Sequence, residues 1–282
     1  MPNQRNLYQL KNLLRDELSL DLDEHALRET QRGLVCNFLG LWLNSAFQPI
    51  IDATSGKPFA DEALLRASTA GDSAVSVLHA FNLADADGKL VEFDRLLRTL
   101  HLLNHLNTPL SNELLFLNVH PNVLATVQNH GATFEHILGF YGVSPSRVVI
   151  EIVENAVEDE RQLIRAVKNY HDHGYKIAID DYGSGNSNLL RVFELQPEFV
   201  KLDGELIRQA EHKPALQRVI RGLVDMFHDS GAQVVVEGIE TQPQLDIARN
   251  AGADLLQGYH LGRPAFPAER GETVGAEVEA VV

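Results

Sequence analysis

Short apolar runs alternate with amphipathic helical patterns along most of the chain. Runs rich in Val, Ile, Leu and Phe predict eight β-strands, at 47–52, 58–65, 114–119, 148–153, 176–180, 199–203, 233–238 and 255–260. From the third strand onward, helical patterns such as 159–171, 214–229 and 242–250 separate the strands. Strands that alternate with helices are typical of a parallel sheet, and eight such units close a barrel. The pattern therefore predicts an α/β fold, a TIM-like (β/α)8 barrel.

The first two predicted strands depart from this alternation. Only the turn-rich segment ATSGK, residues 53–57, separates them. A connection this short joins antiparallel strands, because a parallel pair needs a crossover of about a dozen residues. We therefore expect a barrel whose first strand is antiparallel.

Two helices are predicted before the barrel, within residues 5–44. Leucines at 7, 10, 14 and 18 recur at helical spacing, and Leu27, Leu34, Phe38 and Leu41 continue a similar stripe. Residues after Pro267 contain no aromatic side chain and are expected to fray. The predicted organisation is an N-terminal helical extension at 1–44, a barrel at 45–267 and a flexible tail at 268–282.

Charge and composition narrow the class of protein. The 282 residues carry a formal net charge of −15, which argues against a nucleic-acid polymer as the main partner. Cys36 is the single cysteine, so neither an intrachain disulfide nor a cysteine-cluster metal site is possible. The most apolar stretch near the N-terminus, 34–43, is too short to span a bilayer, and no signal-peptide pattern precedes it. A soluble, cytoplasmic protein without a membrane span is expected.

Polar side chains recur at the downstream ends of the predicted strands. They are Glu62, Asn118, Glu151, Asp180, Asp181, Lys201, Glu237 and Gln257. Any one of them could be a capped turn or a paired ion. Carboxylates beside apolar runs are costly to bury without a partner, and in a parallel barrel the strand ends form one site. Oxygen ligands of this kind suit Mg²⁺ or Mn²⁺, and adjacent aspartates can serve two ions. The set predicts a metal-dependent enzyme, and two such ions about 3.5–4 Å apart can activate a water molecule and stabilise the leaving oxygen in phosphodiester hydrolysis.

Several motifs in order resemble those of the EAL-domain cyclic di-GMP phosphodiesterases. The match includes Gln48-Pro49-Ile50, Glu62-Ala63-Leu64-Leu65-Arg66, Asn118-Val119-His120-Pro121 and Glu151-Ile152-Val153-Glu154. It continues through Asp180-Asp181-Tyr182-Gly183-Ser184-Gly185, Lys201-Leu202-Asp203, Glu237-Gly238-Ile239-Glu240-Thr241 and Gln257-Gly258-Tyr259. The resemblance covers roughly residues 44–267.

The resemblance implies hydrolysis of cyclic di-GMP to linear pGpG, in bacterial second-messenger signalling, with two Mg²⁺ or Mn²⁺ ions. It implies that Glu62, Asn118, Glu151 and Asp180 hold one metal, and that Asp180 bridges to a second beside Asp181 and Glu237. Glu237 is the implied general base, helped by Lys201. The implied substrate-binding residues are Gln48, Leu65, Arg66, Asp181, Lys201, Glu240, Gln257 and Tyr259. Glu154 is implied to brace the loop that starts at Asp181.

The chain differs from the usual family pattern at four positions. Val153 replaces Thr, His120 replaces Ser, and Asn186 and Asn188 replace Tyr and Ser in the loop after the two aspartates. In the family this loop helps to place the second metal and contributes to a dimer contact, so the differences bear on rate and regulation. A homodimer is the expected assembly, with a sensory or signalling partner possible through the N-terminal helices.

Two further hypotheses share the fold. The chain could be a non-hydrolysing receptor for cyclic di-GMP, or a protein-interaction module that has lost nucleotide binding. Members of either kind would be expected to lose metal ligands or residues of the EALLR motif. All of these residues are kept here, which favours the enzyme.

Overall fold

A closed barrel surrounded by helices forms most of the protein in a computed structural model. The structure describes residues 4–20, 22–23, 25–127, 131–153, 159–185 and 188–269. The chain begins with helix α1 (Gln4–Leu18) and strands β1 (Leu27–Thr30) and β2 (Gly33–Phe38). The later strands are β3 (Leu41–Asp52), β4 (Pro58–Ser68), β5 (Ala74–Val75), β6 (Leu114–Asn118), β7 (Val148–Val153), β8 (Lys176–Tyr182), β9 (Phe199–Leu202), β10 (Gln233–Val236) and β11 (Leu255–Leu256). The later helices are α2 (Val77–Ala86), α3 (Leu90–His105), α4 (Pro121–Thr126), α5 (Ala132–Phe140), α6 (Glu160–Asp172), α7 (Leu189–Leu195), α8 (Gly204–Ala210), α9 (Pro214–Asp229) and α10 (Gln242–Ala251).

Strand β3 closes the barrel because it pairs with both β4 and β11. It is antiparallel to both neighbours, whereas β4, β6, β7, β8, β9, β10 and β11 run parallel in that order. The prediction of a TIM-like barrel with an antiparallel first strand is confirmed. All eight predicted strands are present, with individual boundaries that differ by several residues.

The turn between β3 and β4 shows how the sequence produces the antiparallel pair. The Asp52 carboxylate accepts a hydrogen bond from the Ser55 backbone N–H at 2.6 Å. The Gly56 N–H donates to the Asp52 carbonyl, and Gly56 adopts φ +68°, a conformation open to glycine at no steric cost. This compact turn returns the chain beside itself and fixes the pairing of Gln48 with Glu62.

An apolar layer fills the barrel interior, and each barrel strand contributes one side chain to it. The members are Ile50, Ala60, Phe116, Val149, Ala178, Phe199, Val235 and Leu255, all almost completely buried. A second and larger core lies between the outer face of the barrel and its helices. Because side chains alternate across each strand, the residues next to this inner layer on the same face lie two positions away.

The second predicted N-terminal helix is wrong, whereas α1 confirms the first. Residues 27–38 form the antiparallel hairpin β1–β2, and Cys36 is a buried strand residue. A spacing of four, as between Leu34 and Phe38, places residues on one face of a strand as well as on one face of a helix. Gly33, at φ +106° in the turn, provides the reversal that a helix would not allow. Strand β2 pairs with β3, so the sheet that forms the barrel continues on the N-terminal side of residue 44. The domain boundary at residue 44 stays a prediction.

Candidate functional site

A polar ring lies directly above the apolar layer of the barrel. Moving two residues along each strand from that layer, toward the open end of the barrel, gives one polar residue per strand. The members are Gln48, Glu62, Asn118, Glu151, Asp180, Lys201, Glu237 and Gln257. Gln48 precedes its apolar partner in sequence because β3 runs in the opposite direction. Every second side chain of a strand points into the barrel, so these residues all lie at one level of its interior.

Lys201 lies at the centre of the ring and is almost completely buried. Its Nζ is 2.5 Å from Glu151 Oε1, 2.7 Å from Glu237 Oε1 and 3.0 Å from Asp180 Oδ1. A fourth carboxylate oxygen, Glu62 Oε2, lies 3.5 Å away. One ammonium group therefore holds together four carboxylates from different strands.

Two amide side chains orient the carboxylates from outside this cluster. Asn118 Nδ2 donates to Glu151 Oε2 at 2.9 Å and to Glu62 Oε1 at 3.3 Å. Gln257 Nε2 donates to Glu62 Oε2 at 2.7 Å. The carboxylate of Glu62 is therefore held from two sides, which fixes its direction toward the ring centre.

The burial of so many charges shifts the ionisation of the ring. Desolvation and the negative charge of Glu62 raise the pKa of Glu151 well above its usual range, despite the opposing effect of Lys201. Desolvation likewise raises the pKa of Glu237 to about 8, with Lys201 opposing and Asp180 reinforcing the shift. Burial alone would lower the pKa of Lys201, but the surrounding carboxylates outweigh it and hold that pKa well above its usual value. The ring has more negative charge than its single lysine can neutralise.

Asp181 adds a further carboxylate because the strand is irregular at this point. It adopts φ +57°, in the left-handed region, and the register of β8 with β9 shifts beside it. Carboxylate oxygens of Asp180, Asp181 and Glu237 consequently lie within 4.8 Å of one another. Desolvation and the charges of Asp180 and Asp203 raise the pKa of Asp181. Grouped carboxylate oxygens at a net negative site are the ligands that hard divalent cations prefer, so the residues fit a metal centre.

An open cavity of about 310 Å³ lies beside the ring. Four predicted substrate-binding residues, Gln48, Glu240, Gln257 and Tyr259, line it together with Glu62 and Glu237. Gln48 Nε2 donates to the Gly262 carbonyl at 3.2 Å. Tyr259 is half exposed, and the guanidinium carbon of Arg263 lies 4.4 Å from the centre of its ring. The structure therefore brings the metal-ligand set and most of the predicted groove to one place.

Two further predicted substrate-binding residues, Leu65 and Arg66, do not line this cavity. Leu65 is buried in the core between barrel and helices, and Arg66 lines a different cavity further along β4. Glu154 and Asn186 lie outside the described residues. The role of each of these residues stays a prediction.

Two glycines and one aspartate near the ring have no role predicted from the sequence. Gly204 and Gly238 line the cavity back to back, and a Cβ on Gly238 would lie 2.7 Å from the Gly204 Cα. Asp203 caps α8 through a 2.7 Å hydrogen bond from the Glu205 N–H. The sequence does place both glycines at the strand ends, because each directly follows an acidic residue there, in KLDG and VEG. Their small size lets two βα loops pack against each other beside the site.

The chain is similar to known proteins over most of its length. The EAL domain family matches residues 37–264 of the chain. PdeA of Escherichia coli K12, described as a probable cyclic di-GMP phosphodiesterase, is 33% identical over 125 residues, 44% of this chain and 17% of PdeA. The cyclic di-GMP phosphodiesterase NbdA of Pseudomonas aeruginosa is 26% identical over 280 residues, 93% of this chain and 33% of NbdA. The chain thus spans a third or less of the length of each of these two relatives.

Solved structures with the same fold include complexes with cyclic di-GMP. A manganese and cyclic di-GMP complex of BlrP1 from Klebsiella pneumoniae has a TM-score of 0.70 at 28% identity, covering 79% of this chain and 56% of that one. A standalone EAL protein from Vibrio cholerae O395 with bound cyclic di-GMP has a TM-score of 0.68 at 26% identity, covering 80% and 93%. Within the described ranges, none of the helices combines the length and apolar character needed to cross a bilayer.

Proposed function

The chain belongs to the EAL domain family, and from this premise we propose that it is a cyclic-guanylate-specific phosphodiesterase that hydrolyses cyclic di-GMP to linear pGpG. The observation that carries the proposal is the complete ring of carboxylates around Lys201 at the open end of the barrel. Every residue to which the family resemblance assigns metal binding or catalysis is present in the chain, which supports the proposal. The proposed biological setting is bacterial second-messenger signalling.

Two divalent ions, Mg²⁺ or Mn²⁺, are the proposed cofactors. Glu62, Asn118, Glu151 and Asp180 would hold one ion, and Asp180, Asp181 and Glu237 would hold the other. When bound, such ions lower the pKa of a water molecule and neutralise the negative charge that develops on the phosphodiester. With all five carboxylates ionised, as metal binding favours, their charges and that of Lys201 sum to −4, which the ions would balance.

Glu237 is the proposed acceptor of the water proton. Its side chain faces both the ring and the open cavity, so it reaches a water molecule and a substrate from the same position. Because desolvation raises the pKa of Glu237 to about 8, its carboxyl holds a proton at neutral pH in the protein alone. Nearby positive charge lowers that pKa and turns the group into a base near the working pH. Lys201, in contact with Glu237, is proposed to orient the attacking water and to offset charge on the phosphate.

In the proposed reaction, the water oxygen bonds to phosphorus, and the bond from phosphorus to one ribose 3′ oxygen breaks. One water proton passes to a Glu237 carboxylate oxygen, which later releases it to solvent, and the released 3′ oxygen takes a proton from solvent water and ends as a hydroxyl. Gln48, Glu240, Gln257 and Tyr259 are proposed to hold the nucleotide in the adjoining cavity.

The homodimer and the cytoplasmic location stay predictions.

The proposal is tested by incubating the purified full chain with cyclic di-GMP and Mn²⁺ or Mg²⁺ and measuring pGpG by liquid chromatography. The wild type is expected to form pGpG with at least one ion. Glu237→Gln, which keeps the shape of the side chain but cannot accept the proton, is expected to lower the rate by about 10²-fold or more. Glu113→Gln, the same exchange at an exposed position just before β6, is the matched control.

Absence of pGpG with either ion would overturn the proposal. If the protein still bound cyclic di-GMP under those conditions, the non-hydrolysing receptor would be the better description. A Glu237→Gln variant as active as Glu113→Gln would remove Glu237 from its proposed role and leave the activity itself standing.

A further inference from the structure

A second and larger cavity, of about 770 Å³, lies further along strands β3 and β4 than the polar ring. Its walls come from the β1–β2 hairpin, from the ends of β3 and β4 that extend beyond the barrel, and from Phe266. Arg28, Arg32 and Arg66 all line it, and we refer to it as the arginine cavity. Most of β1–β2 precedes residue 37, where the match to the EAL domain begins. The cavity therefore combines family residues with a segment outside the matched region.

The β3–β4 ribbon connects the arginine cavity to the polar ring. Gln48 pairs with Glu62 at the ring, and Asn44 pairs with Arg66 four residues further along both strands. An even separation keeps these residues on one face of the ribbon, with no register shift between the two pairs. Four residues of extended strand correspond to roughly 14 Å. The face that carries the catalytic ring thus continues into the arginine cavity.

Two of the three arginines of this cavity, Arg28 and Arg32, stack on aromatic rings. The guanidinium carbon of Arg28 lies 3.5 Å from the centre of the Trp42 ring, and that of Arg32 lies 4.9 Å from the centre of the Phe266 ring. A guanidinium stacked on an aromatic ring presents its outer face and its N–H groups to a ligand. Such pre-ordering reduces the side-chain entropy lost on binding.

The hairpin that carries Arg28 and Arg32 is itself anchored to the barrel. Asn104 on α3, fully buried, accepts a hydrogen bond from the Leu34 N–H at 2.8 Å and donates one to the Leu34 carbonyl at 2.9 Å. Asn44 Nδ2 also donates to the Arg32 carbonyl, at 3.4 Å. The two arginines thus project from a fixed element.

The charge of the cavity contrasts with that of the whole chain. Among the residues that the structure describes, no carboxylate lies within ion-pair distance of Arg28, Arg32 or Arg66, although the protein carries a formal charge of −15. Asp72 is the single acidic residue among the described residues of its wall. Arg66 donates a 3.0 Å hydrogen bond to the Leu65 carbonyl, so it has a backbone partner and no carboxylate one. Guanidinium groups that lack a carboxylate partner in a concave site attract an anionic ligand, and their planar forks match phosphate oxygens and the O6/N7 edge of guanine.

We propose that the arginine cavity binds the distal guanine nucleotide of the dinucleotide substrate, with Arg28 and Arg32 as specificity-determining residues. This inference rests on the proposed function. The cavity beside the ring, at about 310 Å³, lies at the lower limit for pockets that enclose a drug-sized molecule, so a cyclic dinucleotide extends beyond it. A planar base stacks on the exposed face of Arg28, and Arg32 and Arg66 bind phosphate or guanine oxygens.

The test compares the wild type, the double variant Arg28→Ala/Arg32→Ala and the control Arg218→Ala on the exposed surface of α9. Steady-state kinetics with Mn²⁺ use cyclic di-GMP and, separately, bis(p-nitrophenyl) phosphate, which is too small to reach from the ring to the cavity. The double variant is expected to raise KM for cyclic di-GMP about tenfold or more, with a much smaller effect on kcat. Its activity ratio between the dinucleotide and the small ester should fall in parallel. Thermal unfolding checks the fold, and Arg28→Lys/Arg32→Lys replaces the alanine variant if that variant unfolds early.

Direct binding separates this inference from the proposed function. Fluorescence anisotropy with labelled cyclic di-GMP in Ca²⁺ measures affinity whether or not turnover occurs. Weaker binding by the double variant, with Arg218→Ala unchanged, supports the inference even if no pGpG forms. A double variant with wild-type KM and affinity would overturn the inference and leave the phosphodiesterase proposal intact, whereas a wild type that fails to bind would overturn both.

Discussion

Lys201 is the residue on which the geometry of the site depends most. Its ammonium group contacts carboxylates from four other strands and is shielded from water. Desolvating an ammonium group is costly, and only the surrounding negative charges compensate for it. Loss of this cation would leave the carboxylates to repel one another without a partner.

Lys201→Met is expected to destabilise the metal-free protein by about 3–5 kcal/mol, because it leaves buried carboxylates without a counter-charge. Urea unfolding at pH 7.5 with EDTA measures the change. Lys168→Met is the control, since Lys168 forms an exposed pair with Asp172 whose loss should cost under about 1 kcal/mol. Equal losses in the two variants would contradict the central role of Lys201.

The ionisation of Glu237 predicts how stability depends on pH. A carboxyl with a folded-state pKa near 8 and an ordinary value of 4.5 binds more protons in the folded than in the unfolded chain between those limits. Stability therefore falls as pH rises through this range. Burial lowers the pKa of His101 to about 3, which gives the opposite slope, but only below about pH 6.5. In the window from pH 6.5 to 8 this histidine no longer contributes, and the raised pKa values of Glu237 and Glu151 both make stability fall as pH rises, so the contribution of Glu237 is the difference from a Glu237→Gln variant.

In EDTA, the free energy of unfolding of the wild type is expected to decrease from pH 6.5 to 8. Glu237→Gln, which cannot ionise, should show a flatter dependence across the same window. Urea titrations at four pH values measure both slopes. A wild-type slope equal to that of Glu237→Gln would show that Glu237 does not ionise with a raised pKa.

At the scale of elements, the sequence predicted the barrel well because its signals were local. Each strand is a short apolar run, and the five-residue turn after Asp52 determined the antiparallel start. The hairpin β1–β2 was missed because a four-residue spacing between Leu34 and Phe38 fits both a strand and a helix. What decides in favour of the strand is tertiary: Asn104, seventy residues away, completes the backbone hydrogen bonds of Leu34.

Asn104→Leu is expected to destabilise the protein by about 2–4 kcal/mol, because the Leu34 N–H and carbonyl become buried without partners. Hydrogen exchange of the amides in β2 should accelerate more than that of the barrel strands. Asn107→Leu, which removes one partly buried hydrogen bond to the Leu103 carbonyl, is the comparison. Unchanged exchange in β2 would show that Asn104 does not anchor the hairpin.

At the scale of the whole molecule, the candidate site was predictable wherever it follows the strand period. Seven of the eight ring residues were recognised at strand ends, Gln48 came only from the family resemblance, and the fold brings all eight to one level. The arginine cavity was not predicted, because Arg28 and Arg32 lie on a hairpin that the sequence pattern predicted to be helical. The net charge of −15 also conceals a local group of arginines that, within the described residues, have no carboxylate partner. Average composition does not show where charges of one sign gather.

The ring and the adjoining aspartate predict the number of metal ions. Isothermal titration with Mn²⁺ is expected to give two ions per chain for the wild type, because the carboxylates form two overlapping groups. Asp181→Asn should retain one ion, since Asp181 belongs only to the second group. A wild type that binds one ion, or a variant that still binds two, would contradict this assignment.

The central claim is that the ring directs water onto a phosphodiester bond of cyclic di-GMP. Turnover of cyclic di-GMP by the full chain in ¹⁸O-labelled water with Mn²⁺, followed by mass spectrometry, tests it most directly. The expected product is pGpG with one ¹⁸O atom on its 5′-phosphate, formed by the wild type and at a strongly reduced rate by Glu237→Gln. Cyclic di-GMP recovered intact and unlabelled from the wild type would contradict the claim.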